Sequence, residues 1–192
     1  MQKLLTEIRS CTFCEPDLDL GANPIISVSK NTKIVLISQA PGRIAHLKNK
    51  PWDDPSGKIL RKWLNVDEET FYNTENFGVF PMAFCYPGKG KTGDKPPKKE
   101  CAILWHDKVL QHLKNVKLKI LIGQYSQKYY LNSSKKETLT TTVKNATMHL
   151  PEYFPIPHPS PRNRFWLQKN EWFEKETVPI LQEKVATILK AD

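Results

Sequence analysis

Four short, nearly uninterrupted apolar runs constrain the fold of this chain more than any other feature of its sequence. Residues 33–38 read KIVLIS, and comparable runs lie at 77–84, 118–122 and 152–156. Runs without polar alternation are typical of strands that are buried on both faces, as in a parallel sheet. The sequence therefore predicts four buried strands.

Segments with helical spacing separate these runs. Residues 57–64, for example, place apolar side chains at 59, 60, 63 and 64. The helices predicted in this way are 2–10, 57–64, a short one after Asp67, 99–113, 124–131 and 172–189. Alternation of strands with helices predicts an α/β fold with a mostly parallel sheet.

Composition limits the classes of protein that this chain can represent. Its 192 residues, 39% hydrophobic and 26% charged, predict one globular domain spanning residues 1–192. No apolar run approaches the roughly 20 residues of a membrane span, and the N-terminus lacks a signal-peptide pattern. We expect a cytoplasmic protein with reduced thiols and no membrane association. The net charge of +9 favours a polyanionic partner, nucleic acid before an anionic membrane.

Four cysteines form a pattern that favours a metal site. Cys11 and Cys14 are a CxxC pair, and Cys85 and Cys101 follow at long range. Four thiolates suit zinc or an iron–sulfur cluster, and the spacing alone does not separate the two. The alternative is four ordinary buried thiols.

Two unusual loops each follow a predicted strand. Residues 39–43 read QAPGR and residues 158–163 read HPSPRN. Because the carboxyl ends of parallel strands meet at one edge of a sheet, we expect both loops to face one site. The amide of Gln39 and the close approach that Gly42 allows fit a pocket floor, although a plain turn is the alternative.

Prolines on both sides of His158 stiffen the backbone and hold its imidazole in a fixed position. The same stretch carries the donors Ser160, Arg162, Asn163 and Arg164. A rigid, positively charged loop of donors suits phosphate binding and stabilisation of a developing anion. The alternative is a structural histidine bonded to a loop carbonyl.

Further candidates lie between the first two strands and after the second one. Trp52 is either a platform on which a flat ring stacks or a core residue. Asp53 and Asp54 either orient a water or cap the next helix, and capping suits Asp54. The lysines of 86–99 form a basic loop that either contacts a nucleic-acid backbone or is simply solvated.

Taken in chain order, these motifs resemble the uracil-DNA glycosylase superfamily. They are the N-terminal CxxC, the turn SQAPG at 38–42, the stretch from Pro51 to Gly57, a strand ending at the third cysteine, and HPS at 158–160. The cysteine pattern is similar to that of the iron–sulfur, family 4-type enzymes of bacteria and archaea. The loop HPSPRN resembles that of the single-strand-selective monofunctional uracil glycosylases.

The resemblance implies a three-layer α/β/α sandwich around a four-stranded, mainly parallel sheet. It implies a DNA repair enzyme, acting as a monomer, that extrudes a damaged base and hydrolyses its N-glycosidic bond to leave an abasic site. It also implies that the four cysteines bind a structural 4Fe-4S cluster, with zinc as the alternative.

The resemblance assigns roles to individual residues. Gln39, Ala40, Pro41 and Gly42 would line the base pocket, and Trp52 would stack on uracil. His158 would donate a hydrogen bond to uracil O2 as charge builds on the departing base. The residues that would contact DNA phosphates or wedge into the vacated stack are Arg43, Ser160, Arg162, Asn163 and Arg164.

The chain departs from the family pattern at three positions. Gln39 replaces a water-activating glutamate, and Ala40 lies where other branches have Asp or Asn. Pro81 replaces the asparagine that reads the uracil edge. Asp53 is the predicted substitute for orienting the water. These departures leave two alternatives open: a DNA-binding relative of weak or lost activity that recognises damaged or single-stranded DNA, and an enzyme for another lesion such as hypoxanthine.

Overall fold

The sheet of this protein has four strands, all parallel in the computed structural model, which describes residues 1–131 and 137–191. The strands are Ile34–Ile37 (β1), Phe77–Val79 (β2), Leu118–Ile122 (β3) and Tyr153–Ile156 (β4). Their order across the sheet is β2-β1-β3-β4. The chain leaves β1 for β2 on one side and then crosses to β3 on the other. The topological switch point therefore lies between β1 and β3.

Helices provide the crossovers that parallel strands require. In the described part of the chain the α-helices are Gln2–Arg9 (α1), Arg43–Lys48 (α2), Pro55–Leu64 (α3), Glu68–Tyr72 (α4), Lys99–Leu110 (α5), Gln124–Tyr130 (α6), Leu139–Lys144 (α7), Arg164–Lys169 (α8) and Val178–Lys190 (α9). Short 3-10 turns lie at Glu15–Asp17, Ala146–His149 and Pro161–Asn163, and a π-turn at Phe173–Thr177 precedes α9. No helix of the described ranges is both long and apolar enough to cross a membrane.

The sheet separates two hydrophobic cores, because alternate residues of each strand face opposite sides. From β1, Ile34 and Leu36 enter the core that packs against α3, α7 and α9. Val35 and Ile37 enter the core that packs against α1 and α5. The result is a three-layer α/β/α sandwich, so the predicted fold class is confirmed.

Helix α3 shows how local sequence signals fix an element of the first core. Asp54 caps its N-terminus by accepting a hydrogen bond from the amide of Gly57 at 2.8 Å, and a proline occupies the first helical turn. Leu60, Trp63 and Leu64 then recur at helical spacing and are buried. Asn65 ends the helix in a left-handed conformation. The predicted capping role of Asp54 is confirmed.

Three predicted elements differ from the observed ones by more than two residues at one end. The second strand ends at Val79 rather than Phe84, although the amides of Phe80 and Met82 still donate to the carbonyls of Leu36 and Ser38 at 3.0 and 2.8 Å. Helix α5 ends at Leu110 rather than 113. The C-terminal helix begins with the π-turn, because Pro179 cannot donate to the carbonyl of the residue four positions earlier.

Candidate functional site

A cleft of about 740 Å³ lies at the carboxyl edge of the sheet. Its walls come from the segments that follow the four strands: 38–42 after β1, Pro81 after β2, Gln124 after β3 and the loop 158–163 after β4. This is the switch point, where ligands bind in open parallel sheets. The prediction that loops 39–43 and 158–163 face one site is confirmed.

Most of the predicted catalytic, substrate-binding and DNA-binding residues line this cleft. They are Gln39, Ala40, Pro41, Gly42, Arg43, Trp52, Pro81, His158, Ser160, Arg162 and Asn163. Asp53 and Arg164 are not among the lining residues. The Asp53 carboxylate instead pairs with the ammonium of Lys48 at 2.9 Å, and the Arg164 guanidinium lies over the ring of Phe165 at 4.7 Å.

The turn after β1 is held by neighbouring backbone and by the basic loop. The amides of Met82 and Ala83 donate to the carbonyls of Ser38 and Gln39 at 2.8 and 3.1 Å. The side-chain amide of Gln39 donates to the carbonyl of Lys95 at 3.0 Å. Gln39 therefore connects the cleft floor to the loop 86–98, and its side-chain nitrogen is engaged in this hydrogen bond.

Trp52 lies at the cleft wall in an unusual backbone conformation. Its φ is +59°, in the left-handed region that costs a residue with a side chain on the order of 1–3 kcal/mol. A Cβ on Gly57 would lie 1.8 Å from the Trp52 carbonyl oxygen, so the turn closes only with glycine at 57. Arg61 also donates to that oxygen, at 3.3 Å. The surrounding contacts thus hold the strained backbone of Trp52 in place.

His158 lies beside Trp52, which lines the cleft but is otherwise buried in the first core. The two ring centroids are 5.7 Å apart and the planes are tilted by 32°. The His158 imidazole has no hydrogen-bond partner among the residues that the structure describes. Burial lowers its pKa, and the negative charge of Asp54 opposes that shift. The ring is therefore neutral at pH 7 and can donate one hydrogen bond.

The loop that carries His158 is closed by its own side chains. The His158 carbonyl accepts from the amide of Ser160 at 2.8 Å and from the side-chain amide of Asn163 at 2.7 Å. The Ser160 hydroxyl accepts from the amide of Arg162 at 3.2 Å. Ser160 and Asn163 thus stiffen the histidine loop, whereas Arg162 leaves its guanidinium exposed at the cleft.

His106 is a buried residue beneath the cleft that the sequence analysis missed. Its Nε2 lies 3.1 Å from the carbonyl oxygen of Pro81, and its Nδ1 lies 2.6 Å from the hydroxyl of Tyr130. Burial lowers its pKa to about 4. The available signal was helical spacing, since His106 lies four residues after Ala102 and three before Val109, both buried on α5.

Two glutamines of α6 were also missed. Gln124 opens the helix and lines the cleft beside His158. Gln127, one turn later and buried, donates to the carbonyls of Leu121 and Ile156 at 3.2 and 2.9 Å. It therefore joins the carboxyl ends of β3 and β4, from which the histidine loop departs.

The four cysteines line one shallow apolar pocket on the α1–α5 side of the sheet. Cys11 and Cys14 follow α1, Cys85 follows β2, and Cys101 lies in the first turn of α5. All four are free and partly exposed. Cys101 Sγ accepts a hydrogen bond from the amide of Phe84 at 3.3 Å. Burial raises the pKa of Cys85 to about 11 and that of Cys101 to about 12.

Within the described ranges, no three acidic, histidine or cysteine side chains converge tightly enough for one metal ion. A tetrahedral zinc with bonds of about 2.3 Å would hold its sulfurs roughly 3.8 Å apart. A cubane cluster binds each thiolate to a different iron and needs a wider spread of donors. The four thiols around this pocket are the donor set that either group would use.

Comparisons with known proteins agree with this architecture. The model of the uracil DNA glycosylase superfamily matches residues 26–182. A solution NMR structure of a candidate uracil DNA glycosylase from Methanosarcina acetivorans is similar in fold, with a TM-score of 0.50 and 13% identity. The similarity covers 83% of this chain and 94% of that one. The family match includes all four strands and the loops that line the cleft. The chain therefore belongs to the uracil DNA glycosylase superfamily.

Proposed function

We propose that this protein is a monofunctional DNA glycosylase that hydrolyses the N-glycosidic bond of uracil, or of a related deaminated base, and leaves an abasic site. The observation that carries the proposal is that Trp52 and His158 line the same cleft side by side, with ring centroids 5.7 Å apart. A base extruded from the DNA stack can lie on the tryptophan face with a polar edge toward the imidazole.

The chemistry follows from the state of His158. The departing base leaves with the electron pair of the broken bond and becomes an anion. A neutral imidazole that donates one hydrogen bond stabilises this anion without first losing a proton. A donor of this kind contributes roughly 3–4 kcal/mol to lowering the barrier. Arg43 and Arg162, both exposed at the cleft, supply positive charge for the flanking phosphates.

The proposal is tested by measuring abasic-site formation on single- and double-stranded oligonucleotides that contain uracil. We expect product from the wild-type protein and a loss of about 100-fold or more in His158→Ala. The matched control is His112→Ala, since His112 is exposed and lies outside the cleft. Equal rates in wild type and His158→Ala would contradict the assigned role of His158.

We also propose that Cys11, Cys14, Cys85 and Cys101 bind a 4Fe-4S cluster. Their convergence on one apolar pocket from α1, β2 and α5 supports this assignment. The cluster would join the N-terminal helix to the sandwich, since hydrolysis of a glycosidic bond transfers no electrons. The amide that donates to Cys101 Sγ is a contact that also suits a cluster thiolate.

Metal analysis of protein purified without oxygen tests the cluster. We expect a brown protein with about four irons and four sulfides per chain, which Cys101→Ser lowers. A colourless, folded wild-type protein with one zinc per chain would contradict the cluster and support zinc as the bound metal.

A second candidate function is DNA binding without catalysis, for damaged or single-stranded DNA. It is favoured by Gln39, whose amide cannot accept a proton and is engaged with Lys95, and by Pro81, which lacks a side-chain donor or acceptor. Salt-sensitive binding of these DNAs with no abasic product from uracil or hypoxanthine would select this function.

A further inference from the structure

We propose that the carboxylate of Asp54 is the catalytic group that holds the attacking water, in place of the carboxylate that position 39 lacks. The inference rests on the glycosylase function proposed above. It assigns the water-binding role to a different residue from Asp53, which the sequence had suggested.

The turn between Trp52 and α3 separates the two neighbouring aspartates. Asp54 lines the cleft, whereas Asp53 is outside its lining and is paired with Lys48. The left-handed φ of Trp52 and the close packing of Gly57 against its carbonyl fix this turn. The same local structure therefore places the tryptophan and one carboxylate in the cleft together.

The carboxylate of Asp54 has one oxygen held at the start of α3 and one oxygen available. Its Oδ1 accepts the amide of Gly57 at 2.8 Å, at the N-terminus of α3, where the helix dipole favours negative charge. Its Oδ2 has no hydrogen-bond or ion-pair partner among the described residues. One oxygen is thus anchored, and the other can bind a water.

Asp54 and His158 belong to the same part of the cleft. The negative charge of Asp54 is close enough to raise the pKa of His158 against the effect of burial. The second acid of the cleft lining, Asp94, comes from the basic loop, and the Tyr86 hydroxyl donates to its Oδ1 at 3.4 Å. Asp54 therefore combines a place near the histidine with a free carboxylate oxygen.

The two groups divide the reaction between them. The C1′–N bond breaks, its electron pair leaves on the base, and His158 donates a hydrogen bond to the resulting anion. Positive charge develops on the sugar, which the Asp54 carboxylate favours electrostatically. Water held by Asp54 forms the O–C1′ bond and passes one proton to the carboxylate, which releases it to solvent. The base anion takes a proton from water, so the net reaction consumes one water.

The variant Asp54→Asn tests the inference because asparagine caps a helix about as well as aspartate but carries no charge. Asp67→Asn is the matched control, since Asp67 caps α4 by accepting from the amide of Thr70 at 2.7 Å and lies outside the cleft. Asp53→Asn tests the neighbouring carboxylate. Asp54→Ser, which also retains a cap, serves if the asparagine variant does not fold.

Single-turnover base release and DNA affinity are measured for each variant. We expect Asp54→Asn to slow release by about 100-fold or more without weakening DNA binding, and Asp67→Asn to match the wild type. A rate within about threefold of wild type in Asp54→Asn, or a large loss in Asp53→Asn, would overturn the inference but leave the glycosylase function intact. A folded wild-type protein that forms no abasic product from uracil or hypoxanthine would overturn both.

Discussion

Acid should destabilise this protein through one buried histidine, His106. Because the Pro81 carbonyl only accepts hydrogen bonds, Nε2 of His106 carries the proton, and Nδ1 accepts from the Tyr130 hydroxyl. The neutral ring thus satisfies both contacts. The side chain is fully buried, and burial lowers its pKa from 6.5 to about 4.

The sign of the effect follows from where the proton binds first. On acidification the unfolded chain binds a proton near pH 6.5, whereas the folded protein resists until about pH 4. Stability from this group is therefore complete above pH 6.5 and is lost as the pH falls toward 4. The two pKa values differ by about 2.5, and each pKa unit corresponds to about 1.36 kcal/mol. The free energy of unfolding should therefore fall by about 3 kcal/mol over this range.

Urea unfolding at pH 7.5 and pH 4.5 measures this loss. The wild-type free energy of unfolding should fall by about 2.5 kcal/mol more than that of His106→Gln, because glutamine can contact Pro81 and Tyr130 but does not titrate. Acid-sensitive carboxylates are common to both proteins and cancel in the comparison. His112→Gln, at an exposed site, should behave like the wild type. Equal losses in wild type and His106→Gln would refute the reasoning.

Substitutions at three further positions test the cleft. Gly57→Ala should lower the free energy of unfolding by about 2 kcal/mol or more in a urea titration, because its Cβ would clash with the Trp52 carbonyl at 1.8 Å. Trp52→Ala should slow base release in a single-turnover assay by at least tenfold. Trp52→Phe should retain about a third of the wild-type rate, because phenylalanine keeps an aromatic face. Arg162→Ala should weaken DNA binding and reduce the slope of log affinity against log salt by about 0.9.

The sequence was sufficient to predict the strands and the edge of the sheet where the cleft lies, because general rules connect these features to the apolar pattern. Uninterrupted apolar runs predict buried strands, and all four strands lie within the predicted runs. Parallel topology then places the residues after each strand at one edge, which is why Gln39 and His158 were correctly expected at one site. Neither step requires knowledge of any individual side-chain conformation.

Prediction was weakest where a single backbone angle or a buried polar contact decides the outcome. Nothing in the letters Trp52-Asp53-Asp54 shows that the tryptophan adopts a left-handed φ, so the sequence alone did not reveal that Asp54 lines the cleft and Asp53 does not. Helix α2 was missed because its six residues bury only Ala45 and show no period. His106 acts through contacts with Pro81 and Tyr130 that are distant in sequence.

Gln39 is better understood as a hydrogen-bond donor than as a glutamate that has lost its charge. Its Nε2 donates to the carbonyl of Lys95, which a glutamate carboxylate could not do. A carboxylate at 39 would instead face that carbonyl oxygen and push the basic loop away from the cleft floor. Glutamine at position 39 thus couples the turn after β1 to the loop 86–98, and it leaves that turn without a carboxylate. Asp54 supplies a carboxylate to the cleft from the turn before α3. Gln39→Glu should therefore loosen loop 86–98 in hydrogen exchange without accelerating base release; faster release with the loop unchanged would contradict this account.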